Sequence, residues 1–217
     1  MILYRALLFD LDGTLSDTDA LHSPAWLNLL KRHGVEADEE FYRNRISGRS
    51  NAVIVRELLP NLTDDEVQTV IDAKEADFRD LATDLEPLPG LLDFMEEGRR
   101  RNMKVALVTN APGTNVPIVL AALGIKRYFD EVVLADEVGA GKPDPAPYTA
   151  ALQRFGLDPE EALAFEDSPS GIASATGAGI PTVGIASTQK PDLLLDAGAF
   201  VTAEDFTDPK LWALLEG

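Results

Sequence analysis

The chain reads as an α/β protein: a parallel sheet wound on both faces by helices, with an all-helical domain inserted after the first strand. Three observations predict this. Short, β-rich apolar runs alternate with helical patterns from about Leu88 onward. The runs are continuous and not polar at every second position, as strands covered on both faces require. Residues 15–84 break the alternation with helical patterns alone.

The first strand is expected at 2–9, in "ILYRALLF", and it runs directly into Asp10. The helical block follows as "DALHSPAWLNLLKRHG" (19–34), "SNAVIVRELLPN" (50–61) and "TDDEVQTVIDAKEADFRDLA" (63–82). Trp26, Leu29 and Leu30 fall at core spacing in the first of these, and His33 sits at its end, where a cation suits the helix dipole. No convincing strand lies in this block. It is expected to form a cap over residues 15–84, with 1–14 and 85–217 as the core domain. The crossings near 14–18 and 83–88, with Pro87 and Pro89 at the second, predict a hinge.

Further strands are expected at "KVALVTN" (104–110), "EVVLADE" (131–137), "ALAFEDS" (162–168), "IPTVGIA" (180–186) and, more weakly, "AFVTA" (199–203). The intervening helices have readable ends. "DPAPYTAALQRFGLD" offers Asp144 as N-cap, Pro145 at the first helical position and Gly156 at the stop. Ser168 and Pro169 repeat the arrangement. Strand and helix in alternation predict a doubly wound, Rossmann-like sheet.

At 217 residues, 45% of them hydrophobic, the chain can bury a sizeable core. With 37 acidic against 19 basic side chains the net charge is −18, which argues against nucleic acid or an anionic membrane surface as partner. An anionic substrate stays compatible, since a metal ion or a lysine outweighs the global field at short range. The absence of cysteine excludes disulfides and thiolate metal sites. Any metal must therefore be held by oxygen, with His22 and His33 as the only imidazoles. The first apolar run is too short to span a bilayer and lacks the pattern of a secretory signal. A monomer in the cytoplasm is the expectation.

Ligands of open α/β sheets bind beyond the carboxyl ends of the strands. Asp10 and Asp12 follow the first strand, and Thr109 and Asn110 end the second. Lys142 lies in the loop "GAGKPDP" after the third, and Glu166 and Asp167 end the fourth. Taken singly, each has an ordinary explanation as a turn, a helix start or an exposed lysine. Gathered on one rim, four acids would repel strongly. A hard cation held by oxygens answers that repulsion, and Mg²⁺ fits best because it takes few carboxylates and keeps other oxygens in its shell.

In these motifs the sequence resembles the haloacid dehalogenase-like hydrolases, in the branch with a helical cap after the first motif. "DLDGTL" (10–15) is similar to the family's nucleophile motif. Thr109 in "LVTN", Lys142 in "GKPDP" and Glu166-Asp167 in "FEDSPSGI" are similar to its second, third and fourth motifs. The subgroup it looks closest to contains phosphosugar phosphatases, phosphoglycolate phosphatase and β-phosphoglucomutase. The resemblance implies Asp10 as nucleophile carrying an aspartyl-phosphate, and Asp12 as general acid and then base. It implies Mg²⁺ held by Asp10, Asp167 and the backbone carbonyl of Asp12, with Glu166 beside it. Thr109 and the N–H of Asn110 would hold phosphate oxygens near Lys142.

The resemblance also says that members cleaving carbon–halogen or carbon–phosphorus bonds lack an acid at the position of Asp12, so its presence favours P–O cleavage. In the cap it singles out His22, Arg49 of "ISGRS" (46–50) and Lys74 as substrate-binding residues. Packing at the hinge, an exposed turn and a solvated helix face are the plain alternatives for those three. The expected function is a Mg²⁺-dependent phosphatase of a small sugar or polyol phosphate. A β-phosphoglucomutase-like isomerase is the alternative, and a non-catalytic metabolite-binding protein the more distant one.

Overall fold

The structure, a computed structural model, describes residues 4–46, 49–82 and 85–216. In chain order, β1 (Ala6–Phe9) is followed by four helices: α1 (Asp19–Arg32), α2 (Glu39–Arg45), α3 (Asn51–Leu58) and α4 (Asp64–Leu81). Then come α5 (Leu91–Arg100), β2 (Lys104–Thr109), α6 (Val116–Ala122), β3 (Glu131–Leu134), α7 (Ala135–Val138) and α8 (Ala146–Phe155). The chain continues through β4 (Ala162–Glu166), α9 (Pro169–Gly177), β5 (Thr182–Ile185), α10 (Pro191–Asp196), β6 (Val201–Ala203) and α11 (Pro209–Glu216).

The six strands form one parallel sheet in the order β3-β2-β1-β4-β5-β6. The chain winds outward from β1 in one direction through β2 and β3, then returns to start again at β4. The topological switch point therefore lies between β1 and β4, and the crevice at their carboxyl ends is where such sheets bind ligands. Both strands are fully buried along their length, which explains their unbroken apolar runs.

Register is held by aromatic packing. Phe9 pairs with Phe165, their rings stacked at 4.8 Å, and Phe94 and Phe206 close the cluster from outside the sheet. The opposite face packs Leu8, Ala106, Val108 and Val133 with Tyr148, Ala151 and Leu152 of α8.

Element ends differ from the sequence expectation where turn chemistry intervenes. The run "EVVLADE" stops being a strand at Leu134, because residues 135–138 turn into α7 and end at Gly139 with a φ of 80°. The N-cap of α8 is Pro145, and Asp144 stands one residue outside it; its carboxylate still accepts from the Ala146 N–H at 2.8 Å. Ser168 caps α9 as expected, accepting from the Gly171 N–H at 3.0 Å. β5 begins only at Thr182, since Pro181 has no N–H to give the ladder.

The chain divides into two compact units, residues 18–84 and residues 1–17 with 85–217. Leu15 and Ser16 stay with the larger unit, not with a cap starting at residue 15: Leu88 donates its N–H to the Leu15 carbonyl at 2.9 Å, and Ser16 Oγ donates to the Glu86 carbonyl at 2.8 Å. Helices are the smaller unit's only regular elements among its described residues. Trp26, Leu29 and Leu30 of α1 form its core with Tyr42, Ile54, Val55, Val67 and Val70. The short α2 escapes the periodicity argument, but Asp38 marks its start, accepting from the Phe41 N–H at 2.8 Å. Thr63 and Glu66 form a capping box at the head of α4.

Candidate active site

The acids and Thr109 of the larger unit arrive at the rim on or just beyond strand ends, and Lys142 arrives on the loop between α7 and α8. Asp10 is the first residue beyond β1, and its N–H donates to the Phe165 carbonyl at 3.0 Å, which carries the β1–β4 ladder one step past Phe9. Glu166 closes β4, so Asp10 and Glu166 stand side by side, with Asp167 next in the chain.

The turn after Asp10 is unusually constrained. Gly13 has a φ of 75°, and a side-chain carbon there would run into the Asp167 carboxylate. Only glycine satisfies both the backbone and the space. Beyond β5, Ser187 Oγ donates to the Gly13 carbonyl, and Thr188 Oγ1 donates to Asp167 Oδ2 at 2.5 Å.

The Lys142 side chain is 5% exposed, and its three ammonium protons have three acceptors. These are Asp10 Oδ1 at 2.5 Å, Glu166 Oε1 at 2.6 Å and the Val108 carbonyl at 2.8 Å. The Lys142 backbone is clamped in turn by the Asn110 amide: Oδ1 accepts from the Lys142 N–H at 3.0 Å and Nδ2 donates to its carbonyl at 3.3 Å. Thr109 is buried, and its Oγ1 accepts from the Ala111 N–H at 2.9 Å. The hydroxyl proton itself is left to donate.

Electrostatics explain what the cluster needs. Asp10, Glu166 and Asp167 each offer a carboxylate oxygen within 4.8 Å of the others. Burial raises the pKa of all three, and Asp12 pushes Asp10 and Asp167 further up. Glu166 reaches about 7 even though Lys142 pulls it down. Burial alone would lower the lysine's own pKa, but Asp10 and Glu166 together outweigh it and hold the ammonium charged. One ammonium is thus set against four acids.

The donor set fits a hard divalent cation: oxygen ligands only, carboxylates from two strand ends, and no thiolate. Two further features favour it. Glu166 Oε2 is buried with no hydrogen-bond partner among the described residues. A side-chain carbon at Gly171 would fill the space that the Glu166 carboxylate occupies.

The remaining expected residues belong to the smaller unit. His22 Nδ1 and Lys74 Nζ are 2.8 Å apart, and Lys74 also reaches Glu75 Oε1 at 3.0 Å. Lys74 is 2% exposed and lies against the Trp26 and Phe78 rings, so it is no solvated helix face. Because an ammonium only donates, His22 Nδ1 is the acceptor in that pair. Arg49 pairs with Glu57 at 2.5 Å and donates to the Arg45 carbonyl at 2.7 Å. Ser47 and Gly48 of the "ISGRS" segment lie outside the described residues.

Sequence reasoning missed Tyr148, Ser187 and Thr188. Tyr148 lay within a helix pattern already explained as core, and its hydroxyl donates to Glu166 Oε1 at 2.6 Å. The serine and threonine follow a strand whose rim the motifs do not cover. The switch-point rule applied to β5 would have found them.

Comparison with known proteins agrees with this geometry. The haloacid dehalogenase-like hydrolase profile matches residues 7–185. The chain is 34% identical over 202 residues to a phosphorylated carbohydrates phosphatase of Thermotoga maritima, covering 90% of this chain and 92% of that one. It is 30% identical over 208 residues to a validoxylamine A 7'-phosphate phosphatase of Streptomyces hygroscopicus subsp. limoneus, covering 95% and 96%. Among solved structures, CbbY from Rhodobacter sphaeroides in complex with phosphate matches with a TM-score of 0.86 at 26% identity, over 99% of this chain and 100% of that one.

Proposed function

The chain belongs to the haloacid dehalogenase-like hydrolases, and from that premise we propose that it is a Mg²⁺-dependent phosphatase of a small phosphorylated metabolite, a sugar or polyol phosphate. The observation that carries the reading is the contact between Asp10 and Lys142, with two further carboxylates beside it and Asp12 one turn residue away. A lone lysine–aspartate pair would be structural. Four acids against one ammonium, at the switch point of the sheet, suit a site that binds cation and phosphate together.

In this reading Asp10 attacks phosphorus, and the bond from phosphorus to the ester oxygen breaks. Asp12 gives its proton to the departing oxygen. Water then attacks the aspartyl-phosphate, Asp12 takes up a water proton, and inorganic phosphate leaves Asp10 restored. Thr109 and the Asn110 N–H hold phosphate oxygens, while Lys142 holds the nucleophile and supplies fixed positive charge. Asp10, Glu166 and Asp167 would hold the divalent cation, which when bound offsets repulsion between carboxylate and phosphate. Asn110 acts a second time through its side chain, since the clamp on the Lys142 backbone fixes where the lysine stem starts. His22, Arg49 and Lys74 are proposed to choose among substrates. Similarity to phosphatases of phosphorylated carbohydrates supports the substrate class.

The test is phosphate release from a panel of sugar and polyol phosphates with Mg²⁺. Turnover by the unsubstituted protein, at least about a thousandfold above Asp10→Asn, supports the reading; loss of a catalytic nucleophile costs several orders of magnitude. Equal rates with every substrate would sink it. β-Glucose 1-phosphate with a bisphosphate activator separates the isomerase: glucose 6-phosphate forming faster than free phosphate would favour that alternative.

A further inference from the structure

We propose that Tyr148 is a positioning residue for the carboxylate cluster, its hydroxyl fixing the rotation of Glu166 and its ring seating Lys142, so that cation affinity depends on the phenol and not on packing alone. The inference rests on the divalent-cation reading above.

Tyr148 lies on α8, on the face that packs against the sheet, and is 0% exposed, as is Glu166. Its neighbours there are apolar: Ala106, Val108, Val133 and Ala164. A phenylalanine ring would satisfy all of them. The hydroxyl is therefore a polar group carried into the core, which costs stability unless it is hydrogen bonded. Its bond is to Glu166 Oε1 at 2.6 Å, a charge-assisted length.

The end of a glutamate side chain turns over a broad, two-fold torsion. Two donors converge on Oε1, Tyr148 and Lys142, while Oε2 has no hydrogen-bond partner among the described residues. Lys142 alone is a poor anchor for that rotation, because its ammonium is shared with Asp10 and Val108 on a flexible stem. Tyr148 is rigid and also touches the lysine, whose Nζ lies 5.4 Å from the ring centroid, within range of a cation–π interaction. One side chain thus steadies both Lys142 and Glu166. Thr188 does the equivalent for Asp167 from the other side, donating to Oδ2 at 2.5 Å. Partners of this kind, which orient a ligating carboxylate, typically change metal affinity by about 10–100-fold when removed.

The experiment measures Mn²⁺ binding by electron paramagnetic resonance and Mg²⁺ binding by calorimetry, on the full chain and on Tyr148→Phe. The substituted protein should bind both ions about tenfold or more weakly. The Mg²⁺ activation constant for turnover should rise by a similar factor. In a Glu166→Ala background the same substitution should weaken binding no further, because the acceptor it acts through is gone. Unchanged ion affinity in Tyr148→Phe overturns the inference alone, as does an equal loss in the Glu166→Ala background, which would trace it to packing. An unsubstituted protein that binds neither ion overturns the functional reading and this inference with it.

Discussion

Phe9 and Phe165 face each other in register on neighbouring strands with their rings stacked at 4.8 Å, and the residues that follow them, Asp10 and Glu166, both contact Lys142. The apolar pair is what holds two acids side by side at the end of the sheet. Phe165→Ala should destabilise the protein by about 3–5 kcal/mol, the usual cost of emptying a buried phenylalanine. It should also lower turnover at temperatures where the protein is still folded. Phe165→Leu should lose much less of both. Denaturant unfolding alongside phosphate release checks the pair; stability lost with turnover unchanged would separate the stack from the site.

Lys142 is the one ammonium inside the carboxylate cluster among the described residues. Lys142→Met should abolish most turnover. It should also destabilise the metal-free protein by about 3 kcal/mol at neutral pH, since breaking a buried pair leaves an uncompensated charge. The stability loss should be largest above neutral pH and shrink as pH falls through about 7, because Glu166, freed from the lysine that lowers its pKa, takes up a proton and needs no partner. Denaturant midpoints across pH measure this. A loss independent of pH would point to the lost packing of the lysine stem.

Without a cation, the three buried acids make the protein less stable as pH rises. Glu166 titrates near 7 when folded against an ordinary 4.5, so it holds its proton more tightly in the native state. That contribution is complete below pH 4.5 and disappears as pH climbs through about 7. Asp10 and Asp167, also raised, act in the same sense. Glu57, Glu97 and Glu161 are lowered by hydrogen bonds to Arg49, Arg100 and Arg5, and act in the opposite sense, their contribution being lost as pH falls. Cation binding needs the acids deprotonated and stabilises by mass action. Added Mg²⁺ should therefore raise the thermal midpoint more at about pH 8 than at about pH 5. An equal rise at both, read by differential scanning calorimetry with and without EDTA, would mean that the ion binds elsewhere.

How much of this was legible in the sequence follows from what each signal depends on. Buried parallel strands write unbroken apolar runs, and motif residues at their ends inherit a known place in the fold; Asp10, Thr109, Glu166 and Asp167 could be read from that alone. The α7 turn after Leu134 was not readable, because "ADE" continues a strand pattern until Gly139 forces the exit. Tyr148 was hidden because a buried tyrosine and a buried phenylalanine look alike in a periodic helix; only its contact with Glu166 distinguishes it. Lys74 was misleading for the opposite reason, since its sequence neighbours are acidic while in space Trp26, Phe78 and His22 join Glu75 around it and cover it from solvent.

The most direct measurement is an anomalous difference map from crystals of the protein soaked in Mn²⁺, which replaces Mg²⁺ and scatters anomalously. A single strong peak within coordination distance of the Asp10 and Asp167 carboxylates, with Glu166 beside it, is the expected result. A map with no peak there, or with its only peak on the acidic surface, would contradict the account.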